Sequence, residues 1–237
     1  MDFEIPEELK MTQSLVRDFV RDQLRPLERD LLGQAAGLAD ARMYLPPDTE
    51  QKLIKIAMDV GLWGLSVPED LGGIDLSTLG NCLAEEELSQ TIVPFTFGDV
   101  TPILFDCNAE QREEYFRPCF RRQRYACIAL LEPHDSPGFP RMHTRAERVN
   151  GGYLVSGTKL SYSRTGDDYF AVVFAVTIEE AEGVTCFLID KGTPGLTVTG
   201  ERERVGWRSQ VKQPLCLLFD RCRVPAQNIL GEPGRRF

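Results

Sequence analysis

Histidine is nearly absent from this chain of 237 residues, with only His134 and His143 present. The seven cysteines, at positions 82, 107, 119, 127, 186, 216 and 222, are odd in number and show no C-x-x-C spacing. No zinc-type ligand set can be assembled from these residues, so no metal is expected. The cysteines read instead as small buried hydrophobes in a reducing compartment. Long apolar runs are missing too. The longest, Tyr169 to Val176 and Leu215 to Phe219, have strand length and are far too short to span a bilayer. The start of the sequence, Met1-Asp2-Phe3-Glu4-Ile5-Pro6, lacks the basic and apolar regions of a secretory signal. A cytoplasmic protein with no membrane association is the expectation. Nor is there a Walker A sequence, a G-x-G-x-x-G after a strand, a G-x-S-x-G or an H-E-x-x-H.

A surplus of positive charge is also lacking. The net charge is −9, and it is uneven: 13 basic against 23 acidic groups up to residue 125, then 14 against 13. Nucleic-acid binding, which needs a cationic surface to neutralise phosphates, is not expected. The one basic cluster, Arg117, Arg121, Arg122 and Arg124, reads as a solvated helix face, with a phosphate contact as the alternative.

What the chain does contain changes in pattern near residue 125. Before it, apolar residues recur at helical spacing. Leu9, Val16, Phe19, Val20, Gln23, Leu27 and Leu31 share one face of a 3.6-residue period, and Pro6 with Glu7 and Glu8 suits a first turn. Further helices are predicted over Thr49–Val60, ending at Gly61, and over about Ser77–Gln90. Another begins after Asn108, where Gln111 completes a capping-box pattern. Gly33 to Pro47 reads as loop or weak helix ending in a turn.

After residue 125 the period becomes that of strands. Candidates are 126–131, 144–149, 153–159, 169–177, 184–190, 196–201 and 215–219, with Asn150-Gly151 as a hairpin turn. The expected fold class is α+β: an all-α domain over 1–125, then an antiparallel β-barrel-like domain over 126–237.

Several separated segments take the reading beyond fold class. They are Trp63-Gly64-Leu65-Ser66-Val67-Pro68-Glu69-Asp70-Leu71-Gly72-Gly73, Leu131-Glu132-Pro133, Tyr153 to Lys159, Thr185 to Asp190, Thr193-Pro194-Gly195 and Phe219 to Glu232. In type, order and spacing these resemble the N-terminal helical and middle β domains of the acyl-CoA dehydrogenase family. The resemblance implies FAD as cofactor, an acyl-CoA thioester as substrate and α,β-desaturation as the reaction. It also implies that the catalytic glutamate belongs to a C-terminal helical domain beyond these residues. No catalytic residue is therefore expected in this chain. A truncated or split enzyme, inactive alone and assembled as a homo- or hetero-oligomer with a partner supplying that domain, is one expectation. A non-catalytic scaffold on the same fold is the alternative, and an oxidase or monooxygenase on that fold is a further one.

By the same resemblance, Leu131, Ser161 and Ser163 occupy cofactor-binding positions. Leu131 stands where the family has the Thr of T-E-P, so it keeps an amide but lacks the hydroxyl, and its side chain reads as core. Ser161 and Ser163 replace the ends of W-x-T, so Ser163 keeps a hydroxyl while Ser161 removes an aromatic shield. Pro137 falls where the family has a contacting Ser, and it has neither hydroxyl nor N–H. Glu132 reads as a salt-bridge or turn residue rather than a proton acceptor, and Trp63 as packing between helices.

Overall fold

The computed structural model describes residues 4–36, 45–133, 142–163, 168–177, 183–201 and 213–234. Two compact units emerge, one from the described residues up to Val100 and one from those after it, starting at Thr101.

In the first unit, α1 (Glu7–Phe19) starts from Pro6 at its N-cap, with Glu7 and Glu8 in the first turn, where carboxylates favour the helix dipole. It runs through a π-helical turn (Val20–Leu24) and a 3₁₀ turn (Arg25–Leu27) into α2 (Glu28–Ala36). Pro26 explains the irregularity: it has no N–H for the ladder, and its ring crowds the preceding turn. The wider turn rotates the apolar face, so Leu24 is fully buried, in place of the expected Gln23 and Leu27. Helix α3 (Pro47–Asp59) begins two residues earlier than predicted, because Pro47 sits at a first helical position, where a missing N–H costs nothing. Helix α4 (Thr78–Leu88) is capped by Ser77, whose hydroxyl accepts from the Gly80 N–H at 3.2 Å.

The half-exposed Arg17 on α1 grips the nearly buried Glu87 on α4 through two hydrogen bonds, at 3.1 and 2.6 Å, and Gln13 adds a third at 3.0 Å. Beneath them Phe19, Phe95 and Phe97 form a ring cluster with centroids 5.2–5.5 Å apart. Trp63, read as packing between helices, is buried beside this cluster at 6.5 Å from Phe95, which lies in the non-helical stretch after α4. Gly98 makes room for the indole: at φ +77° a Cβ there would lie 2.6 Å from the ring.

The second unit opens with a 3₁₀ turn (Pro102–Asp106), followed by α5 (Ala109–Gln111), a π-helical turn (Arg112–Phe116) and α6 (Arg117–Phe120), again with a proline, Pro118, just after the π turn. The capping box forms as predicted: the Gln111 amide donates to Asn108 Oδ1 at 2.9 Å, and the Asn108 amide to Gln111 Oε1 at 3.2 Å. Eight strands follow: β1 (Tyr125–Ala129), β2 (Arg145–Val149), β3 (Gly152–Ser163), β4 (Tyr169–Thr177), β5 (Gly183–Asp190), β6 (Leu196–Glu201), β7 (Gln213–Pro225) and β8 (Ile229–Leu230).

Their order is β6-β7-β3-β2-β4-β5-β8, with β1 added alongside β4. Most pairs are antiparallel, but β1–β4 and β2–β4 are parallel; the β2–β3 hairpin separates β1 from β4 in the chain, and β3 separates β2 from β4. The sheet is barrel-like without closing: among the described residues no pairing joins β6 to β8. Strand β7 is longer than the predicted 215–219, since it continues through Cys222 and Val224, both buried. Strand β4 reads as an unbroken apolar run because both of its faces are covered. One face joins a core with Cys127, Val155, Phe187 and Phe219. On the other, Phe170 meets the Tyr115 ring edge-on at 4.8 Å.

The 109–120 helical segment is therefore tied to the sheet, and polar contacts fix it there. The Gln111 side-chain amide donates to the carbonyls of Gln227 and Ile229 at 2.8 and 2.7 Å. Arg124 donates to Asp190 at 2.6 Å and lies over the Tyr115 and Phe170 rings. Among the described residues no helix is long and apolar enough to cross a membrane.

Candidate functional site

Where β1 ends, the chain makes one more contact with the sheet. Leu131 forms an isolated antiparallel bridge with Leu160 of β3, and the Leu160 N–H donates to the Leu131 carbonyl at 2.7 Å. In such a pair the N–H and C=O of one residue point to the same neighbour, so the Leu131 amide faces β3. The residue is 55% exposed, which corrects the reading of its side chain as core. Leu131 thus offers an apolar side chain at the strand end, with its amide directed into the sheet.

The next residue, Glu132, turns the other way. Its side chain is only 7% exposed, and it meets the fully buried Lys159 at 2.9 Å. The same oxygen, Oε1, accepts from the Thr144 amide at 2.8 Å and the Thr144 hydroxyl at 2.6 Å. Oε2 accepts from the His143 amide at 2.8 Å and lies 3.2 Å from His143 Nδ1. Burial by itself would raise the carboxyl pKa. The Thr144 hydroxyl, the Lys159 ammonium and the two backbone amides outweigh it and hold the group well below the usual carboxylate range. Lys159 also donates to the Leu130 carbonyl at 3.0 Å. Glu132 therefore has the ion-pair role read for it.

Thr144 is itself fully buried and needs Gly157 beside it. At φ +149°, a Cβ on Gly157 would lie 2.5 Å from the Thr144 hydroxyl oxygen. A bulge in the β3–β7 register falls at the same point.

Ser161 is buried as well. Its hydroxyl donates to the Ile128 carbonyl at 2.5 Å and accepts from the Cys127 thiol at 2.9 Å. That hydroxyl is spent on joining β3 to β1. Ser163 closes β3, where its backbone pairs with Gln213. Pro137 lies outside the described residues. Of the positions that the resemblance assigns to a cofactor, Leu131 and Ser161 are thus brought to one strand junction, and Ser163 stands two residues along β3 from Ser161.

Lys159 and Thr144 were not singled out from the sequence as a site. The signal was available: Tyr153, Val155, Lys159 and Ser161 share one pleat face of β3, and a lysine at an inward position needs a buried partner. The arginine cluster turns out to be divided. Arg117 pairs with Glu113 at 2.5 Å, whereas Arg124 is largely buried against Asp190.

Comparison with known proteins agrees with this architecture. The family model described as acyl-CoA dehydrogenase, N-terminal domain, matches residues 6–123, and that described as acyl-CoA dehydrogenase, middle domain, matches residues 127–217. The (R)-benzylsuccinyl-CoA dehydrogenase of Thauera aromatica is 31% identical over 100% of this chain, which spans 61% of that protein's length. In fold, a putative acyl-CoA dehydrogenase from Mycobacterium abscessus superposes with a TM-score of 0.85 at 21% identity, over 98% of this chain and 62% of that one. An acyl-CoA dehydrogenase from Bacillus anthracis, solved in complex with FAD, gives a TM-score of 0.71 at 25% identity, over 98% of this chain and 39% of its own. Two successive family matches, meeting where the helices give way to strands and together covering most of the residues, show that the chain belongs to the acyl-CoA dehydrogenase family.

Proposed function

We propose that this chain supplies the helical and flavin-facing β portions of an FAD-dependent enzyme that desaturates acyl-CoA thioesters between the α and β carbons. The observation that carries the reading is the junction of β1 and β3. There the buried Glu132–Lys159 pair sets the strand end, and Leu131 stands 55% exposed in the flavin-facing position implied by the family motif.

The residues present fit a flavin in part. A flat heteroaromatic ring system needs an apolar wall and a few donors at its edge. Leu131 offers the wall, Ser163 is the donor that the family motif assigns, and Ser161 contributes absence of bulk, since its hydroxyl is engaged by Ile128. When bound, FAD would supply the acceptor for hydride leaving the β carbon. The protein's part is orientation.

Glu132 is not proposed as the base that takes the α proton. A general base needs a lone pair free to face the substrate and a pKa near the working pH. Glu132 has donors on both oxygens and a depressed pKa. No other residue of this chain is assigned that step. The acyl site's completion by further residues, and association into an oligomer, form part of the proposal, because the curated relative is longer than this chain.

The decisive experiment is titration of the purified chain with FAD, followed by flavin fluorescence and visible circular dichroism. Saturable binding tighter than about 100 µM is expected. Ser163→Ala should weaken it by roughly 1 kcal/mol, the worth of one net hydrogen bond. Leu131→Thr, which restores the family's hydroxyl, should leave binding unchanged or tighter. Absence of any saturable signal would instead favour the scaffold reading.

A further inference from the structure

The Glu132–Lys159 pair does more than fill a buried space. The carboxylate and the ammonium between them join three backbone segments at one point: the chain just after β1, the approach to β2 and the middle of β3. Lys159 comes from the middle of β3 and donates to the Leu130 carbonyl, one residue before Leu131. Glu132, one residue after Leu131, accepts from the amides of His143 and Thr144, just ahead of β2. The Thr144 carbonyl in turn accepts from the Val176 N–H of β4 at 2.9 Å. Leu131 is thus held on both sides by charged hydrogen bonds, and in the middle by its own bond from Leu160.

The contacts are also arranged in an unusual way. Regular ladder pairing of β1 stops at Ala129, its partner being Val173 of β4. Beyond that point the chain leaves β4 and reaches β3 through a single bridge. A lone bridge fixes position poorly, because one hydrogen bond contributes little net free energy and permits rotation about the strand axis. The clamp on either side supplies the missing restraint. It leaves the Leu131 side chain exposed rather than folded onto the core, although a leucine gains by burial.

We propose that Glu132 and Lys159 are a positioning pair whose task is to present the Leu131 strand end to the flavin, an inference that rests on the functional reading above. Neither residue touches the cofactor. Both act through the backbone at 130–132, and a displacement of an ångström at such an edge is enough to weaken a preorganised contact strongly.

The test is a double variant, Glu132→Gln with Lys159→Met, in the complete chain. It removes both charges while keeping side-chain length, so no buried charge is left unpaired. The readouts are FAD titration, the visible circular dichroism of the bound flavin, and hydrogen exchange at the Leu160 amide, which reports the bridge directly. The far-UV spectrum and urea midpoint establish that the sheet is folded. Expected is a folded protein with FAD binding weakened about ten-fold or more, an altered flavin dichroism and faster Leu160 exchange. A folded double variant that binds FAD as tightly as the parent, with the same dichroism, overturns the proposal and leaves the functional reading intact. A parent chain with no saturable FAD binding overturns the functional reading, and the proposal with it. If the double variant does not fold, Thr144→Val decides the matter, since it removes one donor to Glu132 at nearly constant shape. Weaker FAD binding by a few-fold with faster Leu160 exchange supports the pair, and unchanged values for both refute it.

Discussion

Removing the Lys159 ammonium alone should be far more damaging than removing both partners. In Lys159→Met, Glu132 remains in a site where its side chain is only 7% exposed. It keeps the Thr144 hydroxyl, the His143 and Thr144 amides and the neighbouring His143 ring, but no buried cation. The Leu130 carbonyl also loses a donor. Breaking a buried pair from one side costs about 3–5 kcal/mol. The surviving donors place this case at the lower end, near 3 kcal/mol. Glu132→Gln leaves the ammonium with only neutral oxygens to accept its protons, and a similar loss of about 3 kcal/mol is expected. The double variant carries no buried charge, and its loss should stay below about 2 kcal/mol. The cycle is therefore strongly non-additive. Urea unfolding at neutral pH, followed by far-UV circular dichroism, measures all four corners. Single losses that sum to the double loss within about 0.5 kcal/mol would show that the two groups do not act as a pair, and the reasoning would fail.

Two further predictions concern pH and packing. Because Glu132 is held below the ordinary carboxylate range, its stabilisation is complete above the unfolded-state value of about 4.3 and is lost as pH falls through the lower folded-state value. The urea midpoint should thus drop between about pH 5 and pH 2 in the parent and drop less in Glu132→Gln; parallel curves would count against the assignment. Gly157→Ala should cost about 2 kcal/mol or more, since its Cβ would strike the Thr144 hydroxyl at positive φ. Gly33→Ala in α2, where a Cβ meets nothing within 4 Å, should instead stabilise by about 0.5–1 kcal/mol, and equal effects at both sites would refute the packing argument.

Much of this protein was legible before any coordinates. Helix α4, the capping box at Asn108 and the β2–β3 turn depend on a few adjacent residues whose side chains satisfy nearby backbone groups, and they form as read. The change from helices to strands near 125 follows from the hydrophobic period alone. The irregular turns before Pro26 and Pro118 were not foreseen, although their cause was in view. A proline inside a helical pattern announces a disturbance, but how neighbouring packing resolves it is not local.

Tertiary structure alone decided what the charged and polar residues of the β portion do. The sequence determined that Glu132 and Lys159 exist 27 positions apart; the parallel return of β4 beside β1 and the bridge at Leu131 brought them to 2.9 Å. Ser161 stands where the resemblance places a cofactor-shielding aromatic, yet in the structure its hydroxyl is consumed by the Ile128 carbonyl 33 positions away. The physical reason is common to both. A hydrophobic period records which face of a strand is buried, whereas a buried polar group needs a particular partner at hydrogen-bond distance. Which partner it finds depends on strand order and register, and these are set by the packing of the whole sheet.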